Sequence, residues 1–259
     1  MGRRRHGLRP ANDYENMTTH TRPATLAFAL LLASPGLALA GEPAPCDDAL
    51  VQRVLQHGRA PADGQVRASA CMRLGGPQHL MAVAVAHEPQ GYDWRTADSL
   101  PVHVAWVDER TKRVVASTRA DIGEDAATQV DAQSFEWQPM PGLGRPAAAL
   151  QVRDFILQSA MDGSMGPTWT LFVAEGSRLQ PVVGPAMLSF ARCSRACRDS
   201  DETERQTKTL AIAPGREVHN GLRDLDATLV DSTNKERTHL QLRFDGKRYA
   251  PDVSSVVEP

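Results

Sequence analysis

The sequence predicts a mainly β fold, an antiparallel meander of the propeller-like or sandwich kind carrying one short N-terminal helix. Three observations point there. Short apolar stretches with a period of two recur through most of the chain, and turn residues separate them. Only one stretch has helical spacing. Gly (19) and Pro (18) are plentiful while aromatics are 5%, which favours many turns over long helices. Eight or more short strands with few helices leave a sandwich, an open barrel or a propeller-like stack as the antiparallel arrangements.

Before these elements stands an address. Ala24–Ala33 is an apolar run preceded by His20 and Arg22, broken by Pro35 and Gly36, and followed by Ala38-Leu39-Ala40. That order reads as a signal peptide over residues 1–40, cut before Gly41, with translation starting at Met17. The run is shorter than the roughly 20 apolar residues a spanning helix needs, so no membrane span is expected. Cys46 is too far from the cut for a lipid anchor. The expected location is the periplasm, or secretion.

Residues 41–45 form a tether, 46–250 a single β-rich domain, and 251–259 a disordered tail. Asp47–His57 places Leu50, Val51, Val54 and Leu55 on one helical face. Asp47 and Asp48 suit the positive helix end, and Gly58 suits the left-handed position after the last turn. Strands follow at Leu80–Ala86, Val102–Asp108 and Arg113–Ala116, the last two joined by Glu109–Lys112. Ala148–Leu157 fits strand or helix. Trp169–Ala174 and Leu179–Val183 make a second hairpin, and Ala186–Ala191, Thr207–Ala213 and Leu225–Val230 continue the series. In His239–Phe244, Leu240, Leu242 and Phe244 point inward and alternate with His239, Gln241 and Arg243. Asp245-Gly246 turns that strand toward Tyr249.

Four cysteines in an exported chain imply disulfides, and nearest-neighbour pairing gives Cys46–Cys71 and Cys193–Cys197. The second requires Ala191–Arg198 to turn, because an extended strand holds its two α-carbons too far apart. One close pair separated by three residues is not the spacing of a zinc site or a redox motif.

The formal charge of −2 removes the usual warrant for nucleic-acid binding. Without residues 1–40 the chain carries 24 basic and 29 acidic residues, a net charge of −5 that favours cationic partners. No motif supplies a nucleophile: Gly163-Ser164-Met165-Gly166 falls short of G-x-S-x-G. The six histidines beyond residue 40 show no metal-ligand spacing, so no metal, cofactor or catalytic residue is assigned. His87 and His103 fall on adjacent strands and read as a cross-strand pair or as solvent-facing residues. Trp106 and Trp169 sit in the apolar phase of strands. Tyr92, Asp93 and Trp94, within an exposed-looking loop, and the acidic run Asp199, Asp201, Glu202 and Glu204 are the candidate partner-binding residues.

The segments Asn220–Leu225 and Leu242–Tyr249 resemble the C-terminal part of exported proteobacterial β-rich, propeller-like proteins, some of them similar to immunity proteins against peptidoglycan hydrolases. Members of that group carry a calcium loop, D-x-N-x-D-G-x-x-D. Laid on Arg216–Asp224, only Gly221 and Asp224 match, Asn220 replaces an Asp, and Arg216 and Val218 remove two oxygen ligands. The resemblance implies a non-catalytic binding protein whose partner is another periplasmic protein, such as a cell-wall hydrolase. A glycan-active hydrolase with unplaced carboxylates and a structural envelope protein are the alternatives.

Overall fold

The computed structural model describes residues 43–44, 46–75, 78–96, 99–124, 128–153, 155–156, 163–193, 205–254 and 256–257. Strand β1 (Pro43–Ala44) and helix α1 (Asp48–His57) open the domain. Then come β2 (Gln65–Gly75), β3 (Leu80–Glu88), β4 (Leu100–Asp108), β5 (Val114–Ile122), β6 (Thr128–Gln129), β7 (Phe135–Pro139), β8 (Ala147–Val152) and β9 (Phe155–Ile156). The chain continues through β10 (Gly163–Met165), β11 (Thr168–Glu175), β12 (Arg178–Met187), β13 (Ser189–Cys193), β14 (Arg205–His219), β15 (Leu222–Asp231), β16 (Glu236–Phe244) and β17 (Tyr249–Ala250). The fold is mainly β with one short helix.

Nine strands form the first sheet, in the order β1-β2-β3-β4-β5-β12-β11-β8-β7. Its two halves are antiparallel. They join where β12 runs parallel to β5, through the pair Arg178 and Ser117. The sheet curls until β7 lies beside β2, so eight of the strands make a nearly closed barrel. No ladder joins β7 to β2; the Trp137 indole N–H bridges them by donating to the Ala70 carbonyl at 3.0 Å. Of the antiparallel arrangements left open by the sequence, the chain thus takes the open barrel rather than blades or a plain sandwich. A six-stranded sheet, β10-β13-β14-β15-β16-β17, packs on it, and β6 pairs with β9.

Both faces of the barrel wall are used, which explains why β3 and β4 are buried at nearly every position. Ala82, Ala84 and Ala86 face inward with Val102, Val104 and Trp106. These small side chains leave room for Trp106, Trp137 and Phe172, which stack edge-to-face with ring centroids 5.5 and 6.4 Å apart. Met81, Val83, Val85, Ala105 and Val107 face outward under Leu50, Val51, Val54 and Leu55 of α1. Each buried side chain of that size contributes about 1.5–3 kcal/mol. A strand covered on both faces shows an unbroken apolar run instead of alternation.

The helix begins where expected, Asp47 Oδ1 accepting from the Leu50 N–H at 2.7 Å. Its end is different. Gly58 is right-handed (φ −74°), and Arg59 takes the left-handed conformation (φ 55°). The Ala60 N–H donates to the Leu55 carbonyl and the Arg59 N–H to that of Gln56, a Schellman ending displaced by one residue. Gly58 is glycine for another reason: a Cβ there would collide with the His103 ring. Cys46, just before the helix, is bonded to Cys71 on β2, with α-carbons 5.3 Å apart. Cys197 lies outside the described residues, as does the side chain of Cys193, so that predicted pairing does too.

The second core lies between the sheets. Trp169, Leu171 and Val182 from the barrel meet Leu225, Ala227, Leu242 and Phe244. The segment after Ala250, expected to be a disordered tail, sends Val253 and Val257 into this core. Two apolar side chains at a spacing of four are enough to pin it. Among the described residues no helix is long and apolar enough to cross a membrane.

Candidate functional site

At the β3–β4 connection the predicted binding loop is an ordered turn. Asp93 Oδ1 accepts from the Arg95 N–H at 3.0 Å, its carbonyl accepts from Thr96, and the Arg95 guanidinium lies 5.0 Å from the Trp94 ring centroid. Tyr92 turns inward and donates its hydroxyl to Glu124 Oε2 at 2.7 Å. Glu124 is buried, and its other oxygen accepts from the Val130 N–H at 2.7 Å. Arg67, paired with Glu88, lies 3.9 Å from that oxygen. Burial and the bond to Glu124 push the Tyr92 phenol far above its ordinary pKa, so it stays a donor. The loop brings Tyr92, Asp93 and Trp94 together. Tyr92's hydroxyl is committed to holding the loop, Asp93 and Trp94 are half-buried, and Arg95 is exposed. Asp199, Asp201, Glu202 and Glu204 lie outside the described residues.

A second grouping was not singled out from the sequence. The β14–β15 hairpin turns through Asn220 (φ 49°) and Gly221 (φ 83°), a type I′ turn that matches strand twist. Arg216–Asp224 is therefore the end of a hairpin, and no ion-encircling loop forms there. Across the turn His219 and Asp224 are diagonal neighbours on one face, with Nδ1 and Oδ1 2.7 Å apart. Asp224 is fully buried; its second oxygen accepts from Gln241 at 3.3 Å and lies 4.0 Å from Arg243. The exposed Glu217 stands 3.8 Å from Arg243, and Glu217, His219 and Asp224 each offer a ligand atom within 4.8 Å of the others. These three residues have the donor chemistry to hold a cation, but Arg243 already brings a positive charge to both carboxylates. The buried carboxylate fixes the half-exposed imidazole in one orientation, as a base or a hydrogen-bonding group requires. A histidine and an aspartate flanking Asn-Gly was the available signal.

A third feature is the barrel seam. A cleft of ≈ 380 Å³ opens between β1, β2 and β7, lined by Cys46, Ala70, Met72, Phe135 and Trp137 among others. Its lining is mostly apolar, with Ser69 and Glu136 as the polar side chains. The disulfide makes one wall rigid. Trp137 serves this seam from inside the barrel.

Compared with protein-family models, with curated proteins and with solved structures, the chain finds no match.

Proposed function

We propose that this protein is an exported, non-catalytic binding protein whose partner is another protein of the cell envelope, with an inhibitor or immunity role against a cell-wall hydrolase as the specific form. The observation that carries the reading is the filled barrel: Trp106, Trp137 and Phe172 occupy its interior. Recognition therefore belongs on the outer surface, at the seam cleft and the Asp93–Trp94–Arg95 turn. The leader-like segment before residue 41 and the Cys46–Cys71 disulfide support export into an oxidising compartment. The net charge of −5 beyond residue 40 favours a cationic partner, with steering that weakens as salt rises.

The alternative, a hydrolase acting on glycans, draws support from the oriented His219–Asp224 pair. One experiment separates the two readings. The chain from Gly41 onward is used to capture partners from periplasmic extract, and purified cell wall is assayed with and without it. A stoichiometric hydrolase whose activity falls on binding supports inhibition. Turnover by the pure protein that Asp224→Asn abolishes would replace inhibition with enzymatic activity.

A further inference from the structure

His87 on β3 and His103 on β4 point to the same outer face of the barrel wall as Val83, Val85 and Ala105, yet both are almost completely buried. Their rings lie 6.4 Å apart, edge to face. The C-terminal end of α1 and the segment that follows it close over them. Gly58 sits against the His103 ring and Gly64 against the His87 ring, each so tightly that no Cβ would fit. Among the described residues His87 Nδ1 has no hydrogen-bond partner. Two basic side chains are thus sealed beneath one short strap with little to hold a charge.

We propose that His87 and His103 form an acid-sensitive latch, whose protonation lifts the last turn of α1 and residues 58–64 from the barrel wall. The charged groups facing the pair are few. Asp63 on the strap favours protonation of His87, while on β5 Arg119 disfavours and Asp121 favours protonation of His103. Arg119 and Asp121 are themselves paired at 3.1 Å. Burial is the largest influence on both rings and holds both below the ordinary histidine value; His87 lowers His103 further. The closed form therefore excludes protons that the open form accepts, and acid drives opening. Because Cys46 is bonded to Cys71, the start of the helix stays anchored and the motion is a hinge at its far end.

An open-state pKa of about 6.5 sets the scale. Between pH 7.5 and 5.5, two such groups raise the opening constant by at most about 100-fold and one group by at most about 10-fold, the limit being reached when the closed form takes up no proton. Hydrogen exchange read by mass spectrometry on the disulfide-intact protein, corrected for the intrinsic pH dependence of exchange, tests this. Peptides covering 50–60 should lose protection at pH 5.5 by up to about 100-fold, while those from β15 and β16 keep theirs. His87→Gln alone should reduce the loss to at most about 10-fold, and the double variant with His103→Gln should abolish it. Unchanged protection in the parent protein, equal loss in β15 and β16, or an undiminished loss in the double variant would overturn the latch. Should the double variant fail to fold, NMR of the histidine Cε1–H signals in the parent decides. Two rings must titrate below the ordinary histidine value, and titration of every ring near 6.5 refutes the proposal.

Discussion

Two buried ionisable groupings in this molecule are built on opposite terms. Asp224, on the second sheet, has His219 and Gln241 as hydrogen-bond partners and Arg243 nearby. His87 and His103, beneath α1, have each other and a strap of backbone, and one ring nitrogen has no partner among the described residues. A buried carboxylate supplied with donors has its oxygens satisfied, whereas burial without an acceptor disfavours the charged form of an imidazole. The first arrangement ties three strands together. The second ties a helix end to a barrel only while the surroundings are neutral or basic.

The largest test strikes the well-partnered side. Asp224→Ala removes the acceptor of two side chains and strands Gln241 and His219; it should cost about 2–3 kcal/mol in chemical denaturation. Asp224→Asn, which keeps an acceptor, should recover part of that loss. On the other side, Gly58→Ala forces a methyl group onto the His103 ring and should cost about 1–3 kcal/mol. A double-mutant cycle with His103→Ala should show most of that cost relieved. Third, replacing the unpartnered ring by His87→Leu should leave stability near the parent value at pH 7.5 and exceed it at pH 5.5. The sign follows from the lowered histidine values. The open or unfolded chain binds more protons below about pH 6.5, so the parent is at full strength above that pH and weakens as acid is added. Smallest of all, Arg59→Gly relieves the left-handed strain at the helix end and should raise the thermal midpoint by the equivalent of about 0.5–1 kcal/mol.

Which parts were readable from sequence follows from how each element is covered. His239–Phe244 alternates because one face meets the core and the other does not, and Leu242 and Phe244 are indeed buried. Leu80–Ala86 was visible as an apolar run. By contrast β2 passed unnoticed: Gln65–Gly75 contains a single β-branched residue, Val66, and its register shifts at two places disrupt the period. β14 extends past Ala213 because Pro214 still pairs with Leu225 and a bulge between Pro214 and Val218 takes up Gly215 and the two residues after it. The parallel pairing of β5 with β12 has no local signature, since strands more than fifty residues apart meet only once the barrel curls.

The same logic applies to the sites. Tyr92, Asp93 and Trp94 were found by composition, and their loop is ordered by Glu124, a residue 32 positions away from Tyr92. The sequence left His87 and His103 as a cross-strand meeting or as solvent-facing residues, and the structure shows the first and overturns the second. Their burial was not legible, because the covering strap contributes mainly glycine and backbone. Asp224 was read only as a match to the calcium-loop pattern, and its pairing with His219 went unread because five positions match neither helical nor metal-ligand spacing; the tight turn between them supplies the contact.

The Cys46–Cys71 bond also decides how the domain responds to mechanical load. A pull entering through Ala44 reaches Cys46 and crosses the covalent bridge directly to Cys71 on β2. Residues 47–70, which include α1, the 58–64 strap and its glycines, form a closed loop off the line of force. Tension along the chain thus bypasses the strap, and the residues sealing the two histidines carry none of it.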